Sequence, residues 1–152
     1  MSPEETLTEL GLVLPAPFAP AADYVQCRAA GGLLYISGHG PMRDGRAVFT
    51  GKVGADLDVA AGAASAELTM LNILASIKDA LGSPDRISGF VRLSVFVNAT
   101  SEFNQHHLVA DGASRLVTKL YGSTVAHARY AIGLTSLPFD IATEIEAIAE
   151  LA

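Results

Sequence analysis

The stretch that decides the fold is residues 87–98, Ile-Ser-Gly-Phe-Val-Arg-Leu-Ser-Val-Phe-Val-Asn. Ile87, Val91, Leu93, Val95 and Val97 share one parity, and the polar residues Ser88, Arg92, Ser94 and Asn98 share the other. A period of two is typical of a strand that buries one face. The stretch is therefore predicted as a β-strand with those five residues in the core.

Helical patterns lie on both sides of this strand. Before it, Asp56 or Asp58 can cap a helix that runs to about Leu81, where Gly82 and Pro84 end it. Its apolar residues recur every three or four positions: Leu57, Ala61, Ala64, Leu68, Leu71 and Leu74. After the strand, a second helix is predicted to open at Ser101-Glu102 and to end at Gly122.

Further strands are predicted toward both ends of the chain. Residues 24–30 and 33–37 form a hairpin pattern around Gly31-Gly32, and 47–51 indicate a short third strand. Residues 126–134 and 141–149 indicate two closing strands. At the N-terminus, a capping box at Ser2 predicts a short helix, and three prolines between 15 and 20 predict an extended connector. We therefore divide the chain into an extension, residues 1–20, and a domain, residues 21–152.

The predicted element order is β-β-(β)-α-β-α-β-β after the N-terminal helix. Strand–helix–strand crossovers of this kind place both helices on one face of a single sheet. The fold class is therefore α+β, a two-layer sandwich of one β-sheet with two helices packed on one face. No third helix is long enough to cover the opposite face, so oligomerisation is the economical way to bury it.

Composition gives a related indication of hidden surface. The 152 residues predict one domain, with a net charge of −6 and only 17% charged residues. Alanine occurs 25 times and glycine 14 times. So few charges are expected if part of the surface is covered by another subunit. An alanine-rich composition alone would give the same numbers, and both explanations stay open here.

The same features argue against several classes of function. The ten Lys and Arg residues form no run, so no basic stripe is present for a nucleic acid. No stretch is predicted to span a membrane, and the acidic N-terminus does not resemble a signal peptide. The single cysteine, Cys27, favours a cytoplasmic protein and is interpreted as a half-buried strand residue.

A lone arginine in the last 27 residues is the clearest chemical signal. Arg129 has Ala131 and Gly133 on its side of the predicted strand, which would leave space in front of the guanidinium. Such a group can bind a substrate carboxylate through two hydrogen bonds, and a nearby glutamate can activate water. A cross-strand ion pair between Arg129 and Glu144 or Glu146 is the structural alternative.

The C-terminal motif resembles the signature of the YjgF/RidA (Rid) family. It consists of residues 128–134, Ala-Arg-Tyr-Ala-Ile-Gly-Leu, then Leu137-Pro138 and residues 141–147, Ile-Ala-Thr-Glu-Ile-Glu-Ala. Weaker matches follow the family's order: residues 24–26, 36–41 and 95–97. The resemblance covers about residues 21–149.

The resemblance implies a chorismate-mutase-like fold that assembles as a homotrimer around a central barrel, with clefts between subunits. It implies enamine/imine hydrolysis to a 2-oxo acid and ammonia, without metal or organic cofactor. Arg129 would hold the substrate carboxylate, Glu144 would position the water, and Tyr24 would line the cleft. We add Ser37, Gly38, His39, His127 and Ala131 as candidate substrate-binding residues.

Departures from the family pattern keep other functions open. His127 stands where the family usually has Pro, and Ala131 stands where it commonly has Cys. Gly133 stands where a carboxylate residue is frequent. A non-catalytic binding or regulatory protein of the same fold is one alternative. An endoribonuclease or translation inhibitor, an older label in the family, is disfavoured by the acidic charge. The adjacent His106 and His107 point about 100° apart on a helix and are predicted to be solvated.

Overall fold

The computed structural model describes residues 1–152 and shows a mixed α+β fold. Three α-helices, α1 to α3, and seven β-strands, β1 to β7, follow one another along the chain. In chain order they are α1 Pro3–Glu9, β1 Cys27–Ala30, β2 Leu33–His39, β3 Met42–Arg43, β4 Arg46–Ala47, α2 Val59–Leu81, β5 Ile87–Asn98, α3 His106–Tyr121, β6 Ala128–Leu134 and β7 Thr143–Leu151.

Five strands form one sheet in the order β1-β2-β7-β5-β6. The β5–β6 pair is parallel, and the other three pairs are antiparallel. Parallel neighbours need a crossover connection, which α3 supplies. Strand β5 spans the predicted residues 87–98, and β6 is an edge strand whose outer side has no partner in the chain.

Helices α2 and α3 pack against each other and against the same face of the sheet. Their buried residues and the inward residues of β2, β5 and β7 make one hydrophobic core, which Leu7 of α1 also joins. The N-terminal capping box is present, with Ser2 and Glu5 bonded reciprocally. The predicted two-layer arrangement with both helices on one face is confirmed.

Several predicted boundaries were wrong. The short strand at 47–51 is absent, and β3 and β4 instead pair around Asp44-Gly45. Both turn residues have positive φ, 52° and 75°, as a two-residue hairpin turn requires. Helix α3 begins at His106 rather than at 101, and its N-cap residue Gln105 makes no side-chain cap bond.

The alternation in β5 is interrupted near its start. The pairing with β7 shifts register between Phe90 and Arg92. Phe90 is therefore buried, whereas Val91 is exposed and does not share the core face of Leu93. A bulge of this kind reverses the side-chain direction before the regular alternation resumes.

Helix α2 has the length and hydropathy of a membrane span, a feature that the sequence prediction did not identify. By length and hydropathy alone, residues 59–81 would qualify. However, 72% of the most apolar window is buried inside this fold. We therefore interpret α2 as the core helix of the sandwich.

The face of the sheet opposite the helices, which we call the open face, is uncovered and partly apolar. Tyr130, Ile132 and Leu134 of β6 are exposed there, as are Tyr35 of β2 and Val91 of β5. Clusters of exposed apolar side chains are unusual on a monomer surface. The open face therefore favours a protein partner.

Candidate functional site

Glu144 stands beside a partly enclosed cavity of about 150 Å³. It is the second residue of β7, and its pairing with Phe96 places it on the open-face side of the sheet. Burial raises the pKa of its carboxyl above the ordinary 4.5, and no hydrogen bond or charge counteracts that effect. A desolvated carboxyl in a cavity is suited to proton transfer with a bound water.

Two of the candidate residues, Gly38 and His39, line the same cavity. A methyl group at Gly38 would lie 2.7 Å from Glu144 Oε1, so glycine at this position lets the carboxyl lie close to β2. His39 Nδ1 donates to the Ser37 carbonyl at 2.6 Å, and its Nε2 therefore accepts from Ser76 Oγ at 2.7 Å. Burial lowers the pKa of His39, so the ring is neutral and acts as a fixed wall of the cavity.

Tyr24 lines the Glu144 cavity and also a groove on the open face, whereas Ser37 lines only the groove. The Ser37 hydroxyl donates to the Val25 carbonyl at 2.6 Å. In the same groove, Arg92 pairs with Glu146 at 3.2 Å. The structure therefore joins Tyr24, Gly38, His39 and Glu144 at one cavity and places Ser37 just outside it.

Arg129 lies elsewhere, against helix α3. Its Nη1 donates to Asp111 Oδ1 at 2.9 Å and to Ser114 Oγ at 3.1 Å, and its Nη2 donates to the His107 carbonyl at 3.4 Å. The side chain is 22% exposed. A guanidinium has five N–H donors, so these three contacts leave two for another group.

The expectation of open space beside Arg129 was wrong. A side chain at Gly133 would collide with the His106 ring, so helix α3 fills the space beside Gly133. Ala131 is half-buried and packs against the core. His106 itself is held edge-on against Phe103, at a ring-centre distance of 5.2 Å, and is not a freely solvated side chain.

Neither predicted ion-pair partner of Arg129 is its partner in the structure. Arg129 pairs with Leu93 in the sheet and faces the helices, whereas Glu144 pairs with Phe96 on the other face. With two strand spacings and three residues between them, their Cα atoms lie roughly 14 Å apart. A small ligand therefore cannot contact both side chains of one chain.

His127 and Cys27 are the remaining predicted residues with reactive side chains. His127 Nε2 is bonded to Ser114 Oγ at 2.8 Å, and burial followed by the Arg129 charge lowers its pKa. His127 thus belongs with Arg129 and not with the Glu144 cavity. Burial raises the pKa of the Cys27 thiol to about 11, which keeps it unreactive.

Sequence reasoning missed other residues of both regions. Phe18, Gln26, Asn72 and Phe139 line the Glu144 cavity, and Asp111 and Ser114 hold Arg129. A signal for Asn72 existed, because polar residues recur along the buried side of α2 at 65, 69, 72 and 76. No group of three metal-ligating side chains converges anywhere in the molecule.

Comparisons with known proteins agree with this fold. A family model described as "YjgF/chorismate_mutase-like, putative endoribonuclease" matches residues 4–151. Protein TCP17 of Trypanosoma cruzi is 41% identical over 146 residues, which are 95% of this chain and 91% of that protein.

Two solved structures are similar over nearly their whole length. The protein Atu1372 of Agrobacterium tumefaciens has a TM-score of 0.91 and 44% identity, covering 99% of this chain and 92% of that one. A protein of Shewanella oneidensis described as a "putative endoribonuclease" has a TM-score of 0.95 and 31% identity, covering 99% of this chain and 100% of that one. Family model, relative and structures agree, and the chain belongs to the YjgF/chorismate-mutase-like family.

Proposed function

We propose that this protein is a cytoplasmic homotrimer that binds a small carboxylate-bearing metabolite between subunits and hydrolyses its enamine or imine. The observation that carries the proposal is the division of the site. Arg129 and Glu144 face opposite sides of their own sheet, so a ligand can meet both only where two copies adjoin. The exposed apolar residues of the open face and the unpaired edge of β6 support such an assembly.

In this cleft Arg129 of one subunit binds the substrate carboxylate through its two remaining N–H donors. Asp111 and Ser114 hold the guanidinium in a fixed orientation, which reduces the entropic cost of binding. Tyr24 and Ser37 of the neighbouring copy line the other side. The proposed reaction uses no metal or organic cofactor, because the imine carbon is already electrophilic.

The hydrolysis step uses Glu144 in its ionised form. Glu144 accepts a proton from water as the water oxygen bonds to the carbon of the protonated imine, and the π electrons of the C=N bond move to the nitrogen, which gives a neutral carbinolamine. Glu144 then returns this proton to the nitrogen. The C–N bond breaks with its electron pair leaving on ammonia, the hydroxyl proton passes back to Glu144, and the 2-oxo acid remains.

The test is turnover of 2-aminoacrylate generated in situ. We expect the wild-type protein to accelerate its loss, and Arg129→Ala and Glu144→Gln to reduce the acceleration by about 100-fold or more each. Glu150→Gln, at the exposed far end of the same strand, is the matched control and should retain activity.

Two results would contradict the proposed hydrolysis. Stabilisation by 2-oxo acids without any turnover would leave a binding or regulatory protein of this fold. RNA cleavage that survives further purification and does not depend on Glu144 would favour the endoribonuclease name carried by some relatives.

A further inference from the structure

The Glu144 cavity is larger than a hydrolytic water requires. At about 150 Å³, it is the size of a cavity that accommodates benzene. Its walls come from the N-terminal connector, the end of β2, helix α2 and the loop before β7. Water for the reaction would occupy about a fifth of that volume. The remaining space is available to part of a ligand.

The lining of the cavity selects against anionic groups. Phe18, Met42 and Phe139 contribute apolar surface beside Glu144. The side-chain oxygens of Gln26 and Asn72 are buried in the walls without a donor, and their amide nitrogens are bonded to backbone carbonyls. A carboxylate placed here would lie beside the Glu144 carboxyl, and the lining contains no lysine or arginine to neutralise its negative charge.

Phe139 provides a second, independent indication at the rim of the cavity. Its backbone is left-handed, with φ 59° and ψ 17°, and Asp140 follows with φ 56°. A bulky side chain adopts this region at a conformational cost. Asp140 fixes the loop, because its side chain accepts from Asn98 Nδ2 at 3.1 Å and its carbonyl accepts from Gly51 N at 2.8 Å.

Phe139 gains little from folding, since the residue is 69% exposed. A strained backbone together with an exposed apolar side chain is typical of a residue that contacts a ligand. Phe139 lines the cavity together with Glu144, so part of its surface is available to a group that enters there.

We propose that this cavity receives the side chain of the substrate, so that the favoured imino acids carry an uncharged, apolar side chain of about four to six non-hydrogen atoms. The inference rests on the proposed function, because it takes the imine carbon to lie beside Glu144. It adds that imines derived from leucine or methionine suit this site better than the imine derived from alanine.

The experiment compares imines that an L-amino acid oxidase generates in situ from leucine, methionine, alanine, aspartate and lysine. We expect kcat/KM for the leucine and methionine imines to exceed that of the alanine imine by about tenfold or more. The aspartate imine should be the poorest substrate. Equal rates, or a preference for the aspartate or lysine imine, would overturn the assignment.

Two variants locate the preference in the cavity. Phe139→Asn removes the ring and suits the left-handed backbone, so the fold is retained. It should reduce turnover of the leucine imine several-fold more than that of the alanine imine. Ala21→Leu, which fills the cavity, should act in the same direction. Val13→Asn changes an exposed apolar residue outside the cavity and should change neither rate.

Calorimetry with 2-oxo acids separates this inference from the hydrolytic proposal. If no imine is hydrolysed but 4-methyl-2-oxopentanoate binds more tightly than pyruvate, and Phe139→Asn removes the difference, the cavity assignment stands and the catalytic proposal fails. Turnover of imines without any side-chain preference would overturn the cavity assignment alone.

Discussion

At the scale of single residues, Arg129 and Glu144 differ in the contacts that surround them. Arg129 makes three hydrogen bonds within its own chain, to Asp111, Ser114 and the His107 carbonyl. Glu144 has no such partner, and burial alone raises its pKa. An uncompensated carboxyl reduces the stability of the folded state whenever it is ionised. Retaining such a group is typical of a functional site.

The raised pKa of Glu144 makes a prediction about stability against pH. The folded state keeps this proton to a higher pH than the unfolded state, for which 4.5 is the reference. Folding therefore loses stability as pH rises from about that reference through the raised pKa. Glu144→Gln cannot ionise, so its free energy of unfolding should increasingly exceed that of the wild type across this window.

The measurement is urea denaturation of both proteins at a series of pH values. Glu150→Gln on the same strand serves as the control and should track the wild type. A constant difference between wild type and Glu144→Gln from acid to neutral pH would show that this carboxyl titrates normally.

The sequence indicated Arg129 and Glu144 as candidates, but not their environments. Within the strand alone, Ala131 and Gly133 beside an arginine predict empty space. The space is filled by α3, whose His106 covers Gly133 and whose Asp111 pairs with Arg129. These contacts join residues 18 or more positions apart, and strand parity carries no information about them.

At the scale of elements, local patterns predicted the helices and strands well where one rule applied. Asp58 caps α2, Gly82 ends it, and β5 has the predicted bounds. Predictions failed where a local irregularity in the backbone interrupted a regular pattern. Val91 fits the alternation of β5, but the bulge moves it to the open face. The left-handed backbone of Phe139 also had no signal in the sequence, because bulky residues rarely adopt it.

The contact between α2 and α3 provides a stability prediction. A side chain at Gly112 would overlap the backbone carbonyl of Ala63, so the two helices approach closely there. Gly→Ala at an exposed helical position normally stabilises by about 0.5–1 kcal/mol. Gly112→Ala should instead lower the free energy of unfolding by about 1–3 kcal/mol, because the helices must separate.

Thermal or urea unfolding of the variant tests this expectation. Thr118→Ala, on the exposed side of the same helix, is the control and should be neutral or slightly stabilising. Stabilisation by Gly112→Ala would mean that α2 and α3 pack less tightly than the structure shows.

At the scale of the whole molecule, the composition and the fold give the same indication. The shortage of charges was compatible with either hidden surface or an alanine-rich composition. The fold places exposed Tyr130, Ile132 and Leu134 on one uncovered sheet face. That distribution favours hidden surface, since a general excess of alanine would not collect large apolar side chains on one face.

Complementation between inactive chains tests the proposed division of the site between subunits. Arg129→Ala chains retain Glu144, and Glu144→Gln chains retain Arg129. A mixed trimer of the two has one interface at which both intact residues meet. Random mixing of equal amounts should therefore restore about a quarter of wild-type imine hydrolysis, since three quarters of the trimers are mixed and each has one intact site of three.

The control mixes Arg129→Ala chains with chains that carry both substitutions, because no interface in that mixture is intact. It should show no recovery. Analytical ultracentrifugation and native mass spectrometry establish that mixed trimers have formed. Mixed trimers without activity would show that Arg129 and Glu144 do not meet across an interface. A protein that is monomeric at micromolar concentration would contradict the proposed cleft between subunits. Recovery of activity only in the complementary mixture would show that Arg129 and Glu144 act on one substrate from different subunits. This is the expected result, because the two side chains lie on opposite faces of the sheet within a single chain.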